Sequence, residues 1–201
     1  MLNSLNLTTY LTSNMEIDED IVASIVQNCK RKTVKKDEFL LRKGEYSHYI
    51  FFVESGLLRQ YSIDEKGKEH ILGFAPENWF VSDRESIYFN QPSSYFIQAL
   101  EYSTVALLDD NFLKLLSTKV PAFRDYNNKL LHNHIRSLQK RINQLLSDSA
   151  EERYLQFVKR YPDILLRVPQ TMVASYLGIT PESLSRLRKD LAHRNFKSKI
   201  K

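Results

Sequence analysis

Near the N-terminus, apolar residues recur at the spacing of a helix. The recurring residues are Ile17, Ile21, Val22, Ile25 and Val26. Acidic residues lie at the front of this stretch, between Glu16 and Asp20, and the basic run 30–32 follows it, an arrangement that complements the dipole of a helix. The pattern therefore predicts a helix over about residues 15–29.

Between Phe39 and Leu108 the pattern changes to short runs rich in Val, Ile, Phe and Tyr, with turn residues between them. Such runs are typical of short strands. We predict six strands: Phe39–Leu41, Tyr49–Val53, Leu57–Ile63, His70–Ala75, Tyr95–Leu100 and Thr104–Leu108. Gly44, Gly56 and Gly67 stand in the gaps, and segments 54–56 and 64–67 fit hairpin connections. These features predict a small antiparallel barrel or jelly roll.

After Asp109 no strand pattern returns, and a long helix is predicted over about Pro121–Leu146. Its apolar residues follow steps of 4, 3, 4 and 3: Leu131, Ile135, Leu138, Ile142 and Leu145. This narrow stripe is typical of a helix that packs against a partner helix. Because a second copy is the nearest identical partner, these five residues are the predicted dimer interface. The alternative is that the stripe packs against the barrel of its own chain.

The remaining sequence predicts further helices. Segment 148–151 fits a capping box that starts a helix ending near Tyr161. From Gln170 to Lys189 the sequence has the pattern of a helix-turn-helix, with a small residue, Ala174, at the fifth position and Gly178 at the ninth. The small residue lets the helices cross closely, and the glycine takes the left-handed turn conformation. Thr180 and Pro181 fit the start of the second helix.

The second helix of this motif has an apolar side and a polar side. Leu184, Leu187 and Leu191 form the predicted buried side. The other side carries an acceptor, hydroxyl groups and cations, which suit base edges and phosphates in a major groove. The predicted DNA-contacting residues are Gln170, Thr171, Thr180, Glu182, Ser183, Ser185, Arg186 and Lys189. The alternative is a solvated face on which Glu182 and Arg186 form an ion pair.

Charge is distributed unevenly along the chain. Residues 1–110 hold 11 basic and 17 acidic side chains, a net charge of −6, whereas residues 111–201 hold 18 and 7, a net charge of +11. This division indicates two modules, of which the basic one would bind a polyanion.

Composition and motifs exclude several classes of protein. Cys29 is the single cysteine, which excludes an internal disulfide, a Cys-rich zinc site and a multi-cysteine iron–sulfur cluster. His132 and His134 lie on different faces of a helix and would not share a metal. The sequence contains no catalytic motif, membrane-spanning stretch or signal peptide. We therefore expect a cytoplasmic protein that is not an enzyme and that has no cofactor.

The order of an N-terminal helix, a β-roll, a long helix and a helix-turn-helix resembles the Crp/Fnr family of bacterial transcription regulators over about residues 15–195. Residues 178–186, Gly-Ile-Thr-Pro-Glu-Ser-Leu-Ser-Arg, carry the resemblance most strongly, and residues 42–45, 55–56 and Gly67 carry it more weakly. The resemblance implies an α+β fold with three regions. They are a β-roll sensor domain of the cyclic-nucleotide-binding type (1–110), a dimerisation helix (111–147) and a helix-turn-helix DNA-binding domain (148–201).

The resemblance also implies how DNA is read. In the family, the residues that match Glu182 and Arg186 contact cytosine and guanine in a TGA-containing half-site, and Ser185 matches the Fnr-like branch. Pro181 departs from the arginine of the cyclic-AMP-responsive branch, so one base contact of that branch should be absent. A homodimer on an inverted repeat of double-stranded DNA is implied, with RNA polymerase as a further partner.

Family members usually end in a β-hairpin wing beside the recognition helix. Residues 195–201 are too few for a full hairpin, so we expect a truncated wing. Arg194, Lys197, Lys199 and Lys201 would then contact phosphates in its place.

The segment that holds the cyclic phosphate in nucleotide-binding members is altered in this chain. Those members supply Gly-Glu and then an Arg with Ser or Thr, whereas residues 80–83 read Phe-Val-Ser-Asp and residues 92–95 read Pro-Ser-Ser-Tyr. Without the guanidinium group the anion clamp is missing, so neither cyclic AMP nor cyclic GMP is the expected effector. Arg59 and Arg84, the nearby basic residues, are expected at the surface.

Aromatic residues are frequent in this region, and two interpretations remain. They form barrel core, or they line a pocket for an unknown, weakly polar effector. The predicted pocket residues are Phe80, Ser82, Asp83, Ser94 and Tyr95. The sequence as a whole thus predicts a sequence-specific DNA-binding transcription regulator with an unknown effector. The alternative is a β-roll protein that binds a small ligand and whose basic C-terminal domain binds a protein partner.

Overall fold

The computed structural model describes residues 5–198, with side chains described for residues 5–194. The chain divides into two compact units, Met1–Asn133 and His134–Lys201, and the division falls inside the long helix. The predicted regions 1–110, 111–147 and 148–201 were defined by their roles, and this division by role stays a prediction.

The first unit contains two four-stranded antiparallel sheets. One sheet has the strand order β1 (Lys30–Val34), β8 (Ser103–Leu108), β3 (Ile50–Ser55) and β6 (Phe80–Val81). The other has the order β2 (Phe39–Leu41), β7 (Phe96–Ala99), β4 (Leu58–Ile63) and β5 (Glu69–Ala75). Apolar side chains from both sheets meet in one core, which includes Val53, Leu58, Ile97 and Val105. The predicted β-roll is confirmed.

Helices cover the outer face of the β1-β8-β3-β6 sheet. They are α1 (Leu7–Asn14), α2 (Glu19–Val26), α4 (Asp110–Lys119) and the first residues of α5 (Ala122–Ser147). A second core forms there around Phe52, Leu11, Val22 and Leu116. A short helix, α3 (Arg84–Phe89), connects β6 to the segment before β7.

The structure corrects several local predictions. The predicted helix over 15–29 is shorter, because the Asp18 side chain caps its start and α2 spans only Glu19–Val26. Helices α1, α3 and α4, the short helix Ile164–Arg167 and the strands β1 and β6 were not predicted. The 64–67 hairpin is confirmed, since it joins the paired strands β4 and β5. The 54–56 hairpin is wrong, because β3 and β4 lie in different sheets.

Gly56 makes the crossing between the two sheets. Its φ is +91°, and a Cβ atom at this position would lie 2.2 Å from Ser103 Oγ. Gly56→Ala is expected to lower the free energy of unfolding by roughly 2–4 kcal/mol, from the left-handed conformation and the clash together. Gly67→Ala is the control in chemical denaturation, because Gly67 has φ +79° and open space around it. An equal loss in both variants would mean that the clash contributes nothing.

Among its described residues, the second unit contains helices joined by short turns and no strand. After the end of α5 follow α6 (Ala150–Arg160), α7 (Ile164–Arg167), α8 (Gln170–Leu177) and α9 (Pro181–Ser198). Because α9 continues to Ser198, the segment expected as a truncated wing is helical as far as it is described. Lys199, Lys201 and the side chain of Lys197, which belong to the predicted phosphate-binding tail, lie outside the described residues. Among the described residues, no helix has the length and apolar character needed to cross a membrane.

The predicted capping box is present but shifted by one residue. Ser149 Oγ accepts from the Glu152 N–H, and the Glu152 carboxylate accepts from the Ser149 N–H and hydroxyl. These bonds lower the pKa of Glu152. Because the folded-state pKa is lowered, the stabilisation is present above the usual Glu range and is lost as the pH falls through the folded pKa.

Ser149→Ala is expected to destabilise the second unit by about 1 kcal/mol, because it removes an N-cap. The difference from the wild type should shrink as the pH falls below about 4. Thermal melts across this pH range measure both effects. Ser147→Ala, at the exposed end of α5, serves as the control and should change stability by less than about 0.5 kcal/mol.

Candidate nucleic-acid interface

The turn between α8 and α9 has the predicted left-handed glycine. Gly178 has φ 69° and ψ 34°. The Gly178 N–H donates to the Ser175 carbonyl at 3.1 Å, and the Ile179 N–H donates to the Ala174 carbonyl at 3.0 Å. These two bonds form a Schellman motif, which ends α8 and redirects the chain into α9.

Small and apolar residues hold the two helices together. Ala174, Val173, Leu177 and Leu184 are buried, each with 2% or less of its surface exposed. Leu187, which was also predicted on the buried side, is only half-buried, and so is Leu191. The wedge between the helices is therefore filled mainly from α8 and from the first turn of α9.

The first turn of α9 is capped as predicted. The Ser183 N–H donates to Thr180 Oγ1 at 3.2 Å, and Pro181 is the first residue of the helix. The backbone N–H of Glu182 itself and the Thr180 hydroxyl hold the pKa of the Glu182 carboxyl below its usual value. Glu182 is therefore ionised at neutral pH and can act as a hydrogen-bond acceptor.

All eight predicted DNA-contacting residues are exposed in the second unit. Two lie at the start of α8 and the others lie at or beyond the start of α9: Gln170, Thr171, Thr180, Glu182, Ser183, Ser185, Arg186 and Lys189. Arg194 was predicted to contact phosphate, but it forms an ion pair with Glu151 at 2.5 Å. The exposed set thus combines one carboxylate, one amide, four hydroxyl groups and two cations.

Two arginines that sequence analysis did not assign hold the end of α8. Arg141 of α5 donates to the Tyr176 carbonyl at 2.9 Å, and Arg153 of α6 donates to the Leu177 carbonyl at 2.9 Å. The last carbonyl groups of a helix lack partners within the helix, so cations there satisfy them. In the sequence, the basic charge of residues 111–201 was the signal that pointed toward these arginines. Hydrophobic spacing does not reveal hydrogen bonds to the end of a helix.

The predicted dimer interface is largely exposed along α5. Ile135, Leu138, Ile142 and Leu145 have 43%, 47%, 58% and 44% of their surface exposed. Leu131 is half-buried. The long helix thus carries an exposed apolar stripe in the single chain.

The predicted effector-pocket residues serve different purposes in the roll. Asp83 is buried, caps α3 and accepts a 2.6 Å hydrogen bond from the Ser93 hydroxyl. The Phe80 ring packs on Phe52 in the core beneath the N-terminal helices, at a centroid distance of 4.9 Å. Ser94 is exposed.

The remaining two pocket residues take part in backbone hydrogen bonds. The Ser82 carbonyl accepts from the Gln60 amide, and the Tyr95 N–H donates to Ser93 Oγ. Since Phe80 packs outside the space between the sheets, the five residues do not share one environment. An effector pocket here stays a prediction.

Arg59 differs from its prediction as a surface residue. Only 6% of its surface is exposed. Its guanidinium group pairs with Glu69, donates a hydrogen bond to Gln98 Oε1 at 2.9 Å and lies 4.0 Å from the centre of the Tyr61 ring. These partners explain the burial, because a buried cation requires hydrogen bonds and an opposite charge.

Comparison with known proteins agrees with this architecture. Residues 31–119 match the family model of the cyclic nucleotide-binding domain. The anaerobic regulatory protein of Pasteurella multocida is 30% identical over 169 residues, which cover 79% of this chain but only 61% of that protein. The regulatory protein HlyX of Actinobacillus pleuropneumoniae is 30% identical over 169 residues, covering 79% of this chain and 70% of that protein.

Solved structures share the fold. A CooA mutant from Carboxydothermus hydrogenoformans matches with a TM-score of 0.70 and 21% identity, covering 96% of this chain and 87% of that one. The order of β-roll, long helix and helix-turn-helix is the order predicted above. With these sequence and structural matches, the chain belongs to the Crp/Fnr family of bacterial transcription regulators.

Proposed function

We propose that the chain is a transcription regulator that binds an inverted-repeat DNA site as a homodimer. The observation that carries this proposal is the exposed polar face of α9, which a capped turn with a left-handed Gly178 presents to solvent. In a helix-turn-helix this face enters the major groove. Arg186 would bind guanine through its planar donor fork, and Glu182 would accept from cytosine.

The exposed stripe on α5 supports the homodimer. Apolar residues at a and d positions bury their surface when two such helices pack together. A dimer with its two-fold axis along this stripe would present two copies of α9, one from each subunit. A spacing of ~34 Å between these helices would let them enter successive major grooves of the DNA. An inverted-repeat site follows, because a symmetric dimer presents identical surfaces to its two half-sites. RNA polymerase is a further partner in this proposal.

The salt dependence of binding separates DNA from a protein partner. Neutralising phosphates releases counterions, so a dimer with about six or more phosphate contacts should lose roughly a thousandfold in affinity between 50 and 200 mM salt. Fluorescence anisotropy with an inverted-repeat duplex and a scrambled duplex measures this. Equal affinity for both duplexes would contradict specific binding, and a flat salt dependence would favour the alternative of a protein partner.

The roll is proposed to respond to something other than a cyclic nucleotide. Residues 92–95 lack the arginine, and the buried Asp83 carboxylate bonds to Ser93 in that segment. A cyclic phosphate would therefore meet a negative charge where nucleotide-binding members supply a positive one. We do not propose a redox signal at Cys29 instead. It is the single cysteine of this sequence, and burial raises the pKa of its thiol to about 11.

Cyclic AMP and cyclic GMP at 1 mM should leave the melting temperature unchanged. A ligand present at 100 times its dissociation constant would add about 2.7 kcal/mol to the free energy of unfolding, so binding in the micromolar range would be visible in a thermal-shift experiment. Sodium phosphate at matched ionic strength is the control. A saturable rise with either nucleotide beyond that control would contradict the proposal.

A further inference from the structure

A basic cleft of about 380 Å³ lies within the second unit, between α5, α6 and α8. Five of its twelve lining residues are cations: Lys140, Arg141, Arg153, Lys159 and Arg160. None of the twelve is acidic. The cleft is separate from the exposed DNA-contacting set, since none of those eight residues lines it.

The guanidinium groups of the basic cleft are fixed in place by neutral groups. Arg153 donates to the carbonyls of Leu177 and Asp148, at 2.9 and 2.6 Å. Arg141 donates to the Tyr176 carbonyl and lies 3.7 Å from the centre of the Tyr176 ring. Arg160 donates to Ser137 Oγ at 2.6 Å. These contacts orient the three guanidinium groups around the cleft.

The lysines of the cleft are exposed and available for an anion. Neither Lys140 nor Lys159 forms an ion pair within the part of the chain that the structure describes, and the same holds for Arg153. Folding thus gathers like charges around one concave surface, where they repel each other and concentrate anions. A multivalent anion would relieve this repulsion.

We propose that the basic cleft binds a small ligand with two or more phosphate groups, of about the size of a nucleotide. The volume lies within the range of small-molecule sites, ~300–1,000 Å³. Arginine forks and lysine ammonium groups are the side chains that bind phosphate. A single carboxylate could not neutralise Lys140, Lys159 and Arg153 together, whereas a polyphosphate carries several negative charges.

DNA phosphates have the same chemistry, but the recessed cations of the cleft favour a free ligand. Arg141 and Arg153 are only partly exposed, so a ligand small enough to enter the cleft can contact them more fully than the backbone of a duplex can. The site goes beyond the proposed function, because binding of a small phosphate ligand requires no DNA.

Inorganic tripolyphosphate is the probe for this site, measured by isothermal titration calorimetry on the full chain at constant ionic strength without DNA. We expect saturable binding of one tripolyphosphate per chain. Lys140→Glu with Lys159→Glu should weaken binding at least about tenfold, equivalent to ~1.4 kcal/mol. Lys43→Glu with Lys129→Glu is the matched control, with the same change in charge at exposed positions outside the cleft, and should bind like the wild type.

Amide chemical shifts and duplex affinity provide two further tests of the proposal. If the charge-reversed variant does not fold, amide chemical shifts of α6 and α8 in the wild type should still move on titration with tripolyphosphate. The absence of saturable binding, or equal weakening in both double variants, would overturn the proposal. Loss of duplex affinity in the Lys140 and Lys159 variant with unchanged tripolyphosphate binding would also overturn it, because the cleft would then be a contact for the DNA backbone.

Discussion

Leu138→Glu combined with Ile142→Glu should convert the protein to a monomer and lower its affinity for an inverted repeat by roughly 10²–10⁴-fold. The two side chains have 47% and 58% of their surface exposed in the single chain, so their replacement should leave the fold of each subunit intact. In a dimer they would be buried, and a carboxylate without a partner is costly there. The loss on DNA follows because the second half-site would no longer be bound within the same molecule.

Asn133→Glu combined with Asn143→Glu is the matched control for this experiment. Both asparagines are exposed on α5 and lie outside the apolar stripe, so the helix gains the same charge in both double variants. Sedimentation velocity at micromolar concentration measures the mass, and anisotropy measures the affinity. A monomeric wild type whose melting temperature falls in the stripe variant would instead support packing of the stripe within its own chain.

Arg186→Ala should cost roughly 1–3 kcal/mol in each half-site and remove the preference for guanine at the contacted position. The Arg186 side chain is exposed on α9 beyond the capped first turn, so its loss should leave the helix-turn-helix folded. A symmetric dimer loses the contact twice. Competition between the inverted repeat and single-base variants, at one salt concentration, measures both the affinity and the base preference.

Arg186→Lys separates charge from geometry at the same position. Lysine keeps the positive charge but lacks the planar fork that forms two parallel bonds to guanine. We expect this variant to lose specificity while its binding to scrambled DNA stays close to that of the wild type. Arg124→Ala, at an exposed position on α5, controls for the loss of one cation. Unchanged base preference in Arg186→Ala would show that Arg186 does not read the site.

The helix-turn-helix could be predicted from sequence because each of its positions has a local cause. Gly178 takes the left-handed conformation, Thr180 caps α9, and Ala174 and Leu184 are buried where the helices cross. Spacing alone encodes such features, since the residues involved lie within about four turns of each other. Six of the eight strands of the roll were also predictable, because each contains residues typical of β-structure.

The remaining features depend on contacts that are distant in the sequence. Strand β1 was missed because four of its five residues are exposed and its sequence, Lys-Arg-Lys-Thr-Val, is mostly charged, as is common at sheet edges. The turn at 54–56 has the composition of a hairpin, but whether a strand pairs with its neighbour or crosses to another sheet is decided by packing. Arg59 is buried because Glu69 and Gln98 are brought to it by two other strands.

Selection of bound duplexes from a random pool, sequenced after several rounds, tests whether two copies of this chain read an inverted repeat through α9. We expect enrichment of two inverted half-sites with centres about one helical turn apart, each containing a guanine whose preference disappears with Arg186→Ala. Enrichment of a single unrepeated element, or no enrichment over the input pool, would rule out such a dimer on DNA.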